Sequence, residues 1–104
     1  MIKYNIKYSK LSINDLERAK QEVYIASKDI DVTDNYITGL LDAIDNLSER
    51  PKVGIPLMHK DNFTGYYFTI YKAYYAFYRF EGENILVDRI LYGKSDYLNE
   101  LGLK

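Results

Sequence analysis

The chain opens on alternation. Ile2, Tyr4 and Ile6 are apolar while Lys3, Asn5 and Lys7 are polar, the period of two that a strand with one buried face requires. The spacing then changes: Ile13, Leu16, Ala19, Val23, Ala26 and Ile30 recur at steps of three or four, which places them on one stripe of a helix. Ser12 with Asp15 three residues on supplies a start signal, a side-chain oxygen for an orphan amide and an acid facing the positive helix end. The expected helix runs from about Ser12 to Ser27. Lys28-Asp29-Ile30-Asp31-Val32 reads as a connection, with Asp31 or Thr33 as the cap of a second helix carrying Tyr36, Ile37, Leu40, Leu41, Ile44 and Leu47. Pro51 ends that helix near Arg50, and Gly54 with Pro56 predict an irregular segment behind it. Gly39 sits inside the second helix at a cost of about 1 kcal/mol relative to alanine, and close packing against the first helix is the expected reason.

From Gly65 the code returns to strands: Tyr66 to Tyr71, Tyr74 to Phe80 and Ile85 to Tyr92, all rich in aromatic or β-branched residues. Lys72-Ala73 and Glu81-Gly82-Glu83-Asn84 are short enough for hairpin turns, with Gly82 supplying a positive φ. The three strands therefore form an antiparallel meander. Tyr74, Ala76, Tyr78 and Phe80 share one face of the middle strand and Tyr75, Phe77 and Arg79 the other, so both faces are largely apolar and this strand is expected at the centre of the sheet. Asp96 to Leu101 form a short closing helix with Gly102 as its stop. The class is α+β: an N-terminal strand, an antiparallel helical hairpin and a three-stranded antiparallel meander in one twisted sheet, with a short C-terminal helix.

A length of 104 residues allows one core, so a single domain over residues 1–104 is expected. No cysteine is present, which removes disulfides, thiolate metal sites and thiol nucleophiles together. One histidine, no calcium-loop pattern and six dispersed glycines supply neither a metal set nor a phosphate-cradling loop, so no metal and no cofactor are expected. Fourteen basic residues against fifteen acidic ones leave a formal charge of -1, hence no global field toward nucleic acid or an anionic bilayer. No apolar run approaches a membrane span of roughly 20 residues, and the alternating first residues are no signal-peptide core. A soluble cytoplasmic protein without a membrane partner is the expectation.

The candidate chemistry is sparse. His59, with Lys52 and Lys60 in what reads as an irregular segment, has the chemistry of a general acid or base, although no spacing fixes a second catalytic residue and a solvated loop histidine is the favoured reading. Arg50, Lys52, His59 and Lys60 form the locally basic stretch, flanked by Glu49 and Asp61; phosphate contact is one role, an ordinary charged loop the favoured one. Twelve of the sixteen aromatics fall at or after Phe63 and offer rings for base stacking, but five basic and five acidic side chains over residues 62–104 make no basic groove, so sheet core and rim is favoured. Arg89 lies in an apolar strand on the face of Ile85, Val87 and Leu91, where a cation needs a partner; Asp96, Glu17 and Glu22 are the candidates.

Three segments then converge on a known family. Pro51-Lys52-Val53-Gly54-Ile55-Pro56-Leu57, Tyr74-Tyr75-Ala76-Phe77-Tyr78-Arg79 and Val87-Asp88-Arg89-Ile90-Leu91-Tyr92-Gly93-Lys94-Ser95-Asp96-Tyr97 resemble, in order and spacing, the corresponding segments of RelE/ParE superfamily toxins of bacterial type II toxin–antitoxin systems. The resemblance covers nearly the whole chain and implies the fold already derived. It also implies a growth inhibitor neutralised by a cognate antitoxin, a partly disordered partner that folds over exposed apolar surface. RelE-like members cleave messenger RNA on the ribosome with lysines, arginines and a terminal tyrosine or histidine, whereas ParE-like members lack that set and poison DNA gyrase.

In this chain Tyr75 stands where RelE-like nucleases commonly carry arginine, and Tyr66-Tyr67-Phe68 where Tyr-Arg is frequent. Losing one such electrostatic group costs ~100-fold to 1000-fold in rate, so the resemblance points to a ParE-like gyrase poison. The alternatives are a RelE-like nuclease acting on ribosome and mRNA, with Tyr92, Lys94 and Tyr97 as its catalytic candidates, and a degenerate antitoxin-binding module. Arg50, Lys52, His59, Lys60, Arg79 and Arg89 are the candidates for contacting target or phosphate.

Overall fold

Ser9 starts the first helix, three residues earlier than the Ser12 signal predicts. In extended backbone, its side chain accepts the Ser12 N–H at 3.0 Å, which satisfies one of the orphan amides of the first turn. The computed structural model describes residues 3–104, so Ile2 of the expected first strand lies outside the described residues. Strand β1 spans Asn5–Tyr8, helix α1 Lys10–Ser27 and helix α2 Ile30–Asp45. Lys28 and Asp29 alone connect the helices: Lys28 takes a left-handed φ of 56° to cap α1, and Asp29, rather than Asp31 or Thr33, caps α2 by accepting the Val32 N–H at 3.1 Å. The anticipated connection through Val32 is shorter because the cap lies at its second residue.

The expected apolar stripe of α1 is only half right. Leu16, Ala19 and Val23 pack into the core, but Ile13 and Ala26, with Ile30 in α2, face solvent, and the buried face includes Ser12 and Asp15. The reason lies in the sheet, where α1 must satisfy a strand edge as well as bury apolar surface.

After α2 come two short 3-10 turns, Asn46–Ser48 and Pro51–Val53, and then strands β2 Ile55–His59, β3 Asn62–Tyr71, β4 Tyr74–Glu81 and β5 Asn84–Tyr92. Helix α3 is Tyr97–Glu100, with Gly102 at φ 74° behind it. The sheet order is β1-β5-β4-β3-β2, with β1 parallel to β5 and all other pairs antiparallel. The three-stranded meander is present with β4 at its centre, and β2 extends it to four. Proline placed the 54–56 segment outside the strands in the sequence reading, yet an edge strand tolerates a residue that lacks an N–H. His59 is accordingly the last residue of a strand rather than part of an irregular loop.

One sheet face is covered by the helical hairpin. Ala19, Leu40, Ile44 and Leu47 meet Tyr74, Ala76, Tyr78, Ile85, Val87 and Ile90 there. Gly39 is explained by the sheet and not by α1: a Cβ at that position would collide with the Tyr71 hydroxyl. The second face has its own core of Leu57, Phe77 and Leu91, closed over by Tyr97, Leu98, Leu101 and Leu103 from the C-terminal segment.

Candidate functional site

A register shift in β5 sets the electrostatics of the sheet. Phe77 pairs with Arg89 while the next residue, Tyr78, pairs with Val87, so Asp88 is a bulge residue that reverses which side chains face which way. Ile85 and Val87 face the helices, whereas Arg89 stands opposite Phe77 of the second face. This corrects the placement of Arg89 beside Ile85 and Val87. Its partners are also different from those expected. Asp15 accepts Arg89 Nε at 2.8 Å and Nη2 at 3.1 Å, and Glu100 accepts Nη1 at 3.2 Å, in place of Asp96, Glu17 or Glu22.

Asp15 does more than pair with Arg89. Strand β1 pairs with β5 only from Asn84 to Val87, which leaves the rest of that edge without a neighbouring strand. Ser9 Oγ donates to the Asp88 carbonyl at 2.7 Å, and Asp15 accepts the Ile90 N–H at 2.9 Å, so the start of α1 finishes the ladder that β1 begins. Arg18 adds a further bond to Asp15 at 2.7 Å. Hydrogen bonding to Asp15 raises the affinity of the Arg89 guanidinium for its proton above the ordinary arginine value despite partial burial.

The sequence-predicted site residues are dispersed. Tyr92 ends β5 on the helix side, 43 % exposed, its ring 6.0 Å from Tyr74 in edge contact. Tyr97 lies on the opposite side of the sheet, its ring 5.1 Å from Phe77 and 5.9 Å from Tyr75, where it closes the second core. Lys94 is exposed in the turn between them. Arg79 Nε donates to Asp88 at 2.7 Å, a bond that holds its guanidinium more firmly protonated. Arg50 is exposed between the two 3-10 turns and Lys52 within the second, where it borders a cleft of about 450 Å³ lined by Tyr4, Gly54, Pro56, Tyr67 and Phe80. His59 and Lys60 lie at the β2–β3 turn, on the sheet edge three strands away from Arg89 and displaced from it along the strands as well.

Three tyrosines, two buried and one half-buried, hold their protons. Tyr78, fully buried, donates to the Pro51 carbonyl at 3.1 Å, and burial pushes it up to about 12. Tyr74 donates to Glu22 at 2.8 Å; burial first, then that carboxylate, raises it still further. Burial, with Asp88 second, also raises Tyr66. None of the three supplies a phenolate near neutral pH.

One concavity was not anticipated from sequence. At the tip of the helical hairpin an apolar groove of about 490 Å³ is lined by Val23, Ala26, Val32, Tyr36, Tyr74 and Tyr92, with Glu22 at its side. Around it Tyr24, Ile25, Ile30 and Val32 are exposed, Ile25 and Ile30 by 70 % and 65 %. The signal was available in Ala26 and Ile30, apolar positions at the margin of a helical stripe beside charged neighbours, but the stripe was assigned wholly to the core.

A family model described as "ParE toxin of type II toxin-antitoxin system, parDE" matches residues 6–97. No curated protein sequence matches. Among solved structures, the chain is similar to the chromosomal ParDE toxin–antitoxin system from P. aeruginosa, at 14% identity over 88% of this chain and 98% of that one, TM-score 0.72. It is also similar to the toxin–antitoxin complex RelBE2 from Mycobacterium tuberculosis, at 17% identity over 88% and 99%, TM-score 0.62. YafQ from E. coli aligns at 17% identity over 86% and 93%, TM-score 0.55.

Proposed function

The chain belongs to the ParE toxin family of type II toxin–antitoxin systems, within the RelE/ParE superfamily, and from that membership we propose that it arrests growth by poisoning DNA gyrase and is held inactive by a cognate antitoxin. The observation that carries the choice of target is the dispersal of the nuclease candidates. Cleaving an RNA strand by attack of its 2'-hydroxyl needs a base, an acid and cations gathered around one phosphate. Here Tyr92 and Tyr97 occupy opposite faces of the sheet, and Tyr97 is packed against Phe77. The strand arginines Arg79 and Arg89 are engaged by Asp88, Asp15 and Glu100. The antitoxin half of the reading is supported by the apolar groove and the exposed side chains around it, a surface larger than scattered single residues. Two of the similar structures are toxin–antitoxin assemblies.

The test uses purified chain in two assays run side by side: gyrase with relaxed plasmid, and ribosomes programmed with messenger RNA. Loss of supercoiling with accumulation of cleaved DNA, and intact messenger, is the expected result. Ribosome-dependent cleavage of the messenger with supercoiling untouched would overturn it and make Lys94, Tyr92 and Tyr97 the residues to substitute first. No effect in either assay, with no growth arrest on induction, would leave a degenerate binding module.

A further inference from the structure

The formal charge of -1 conceals a segregation. Residues 29–49 hold six of the fifteen acids, Asp29, Asp31, Asp34, Asp42, Asp45 and Glu49, and none of the fourteen bases. Asp31, Asp42 and Asp45 are separated by steps of eleven and three, which brings them to one side of a helix, and all three are exposed. They form a line along α2 of about 21 Å at 1.5 Å per residue. Val32 and Tyr36 of the same helix enter the apolar groove at the hairpin tip. That groove, at about 490 Å³, lies in the range of roughly 300–1,000 Å³ usual for ligand-holding clefts.

We infer that the hairpin-tip groove and the acidic line of α2 form one docking surface, and that its occupant is a cationic amphipathic segment of the neutralising partner. The inference rests on the toxin reading above and adds the chemistry of the partner. An apolar side chain enters between Val23, Ala26, Val32 and Tyr36, while lysines or arginines of the same segment lie over Asp31, Asp42 and Asp45. An acidic segment would meet like charge at both ends of α2, at Asp31 and Asp34 and again at Asp42 and Asp45, where Lys3 offsets it only in part, which disfavours it by repulsion as well as by lost attraction. Occupation of the groove also covers Tyr92, which lines it beside Tyr74.

The probe is the product of the reading frame adjoining that of this chain, titrated into purified chain by calorimetry at low and high salt. Two variants isolate the parts: the triple substitution Asp31→Asn, Asp42→Asn, Asp45→Asn for the charge, and Ala26→Gln for the groove, each first shown to be folded by circular dichroism. Three rim-exposed ion pairs account for roughly tenfold in affinity, so the triple variant binds about tenfold more weakly at low salt and like wild type at high salt. Ala26→Gln weakens binding at both. Neutralisation with unchanged affinity in both variants overturns the docking surface and leaves the toxin reading standing. Salt-independent binding that only Ala26→Gln disturbs overturns the cationic partner. Failure of the adjoining product to bind, while the chain still arrests growth, overturns the inference together with the antitoxin half of the reading. A dimer of this chain in sedimentation that Ala26→Gln dissociates assigns the groove to a second copy instead.

Discussion

Asp15→Ala isolates the junction where α1 completes the sheet. The carboxylate is buried, 3 % exposed, and accepts four hydrogen bonds, two from Arg89 and one each from Arg18 and the Ile90 amide. Removing it leaves the Arg89 guanidinium, whose side chain is only 12 % exposed, with Glu100 alone. Breaking a buried pair from one side costs about 3–5 kcal/mol, and an unpaired buried amide about 1–3 kcal/mol. Glu100 is half exposed and stays in reach of Arg89, which offsets part of the loss. The net expectation is a destabilisation of about 4 kcal/mol, a large share of the roughly 5–15 kcal/mol that holds a domain folded. In a domain of this size that corresponds to a fall in Tm on the order of 20 °C.

Thermal and urea unfolding followed by circular dichroism give the number, and amide exchange gives the mechanism: Ile90 loses protection in the variant while Ala76, its partner across the ladder, loses much less. Asp15→Leu combined with Arg89→Met removes both charges and recovers part of the loss, but not all, because the Ile90 amide still lacks an acceptor. A single Asp15→Ala variant within about 1 kcal/mol of wild type would refute the reasoning. So would a double variant that is as unstable as the sum of its singles, since the two groups would then be uncoupled.

Two further outcomes follow from local geometry. Lys60 and Asp61 both take positive φ, 52° and 64°, in the two-residue turn between β2 and β3, so Lys60→Asn with Asp61→Gly matches the turn's backbone and raises stability by about 1 kcal/mol; unchanged urea unfolding would show that the turn carries no strain. Tyr78 is raised from 10.0 to about 12. A group that binds its proton more tightly when folded contributes stability that is complete below pH 10 and is lost as pH rises through about 12, so unfolding free energy falls across that window and falls less in Tyr78→Phe. Phenolate absorbance of the folded protein in which all twelve tyrosines titrate together near pH 10 would contradict it.

Periodicity carried the architecture. Alternation located β4 and β5, helical spacing located α2, and Gly82 marked a turn in which it does take a positive φ of 59°. The failures have a common cause. Pro56 disqualified a strand only because its position at the sheet edge is a tertiary fact. Ser12 and Asp15 looked like a helix start because the demand of the open β5 edge for an acceptor, 75 positions away, leaves no local trace. Arg89 was placed on the wrong face because a single bulge at Asp88 inverts every inference from period two beyond it.

The candidate site shows the same limit more sharply, because a site is a convergence of distant residues. Charge is the instructive case. A net value of -1 argued against any field that draws the chain to nucleic acid, yet averaging hid the six acids of residues 29–49, beyond which fourteen bases stand against nine acids. If α2 is the partner's surface, binding of a cationic segment neutralises the acidic side, and its release restores a molecule with one acidic helix and an otherwise cationic remainder. If gyrase is the target, as proposed, a gyrase–DNA complex attracts that remainder and repels α2, so under both proposals the segregation that recruits the antitoxin also orients the free toxin on its target. Charge reversal at Asp31, Asp42 and Asp45 therefore separates the two events: it weakens antitoxin binding while leaving gyrase poisoning intact or stronger. Equal loss of both activities in the supercoiling and calorimetric assays would mean that one surface serves both, and that the orientation argument is wrong.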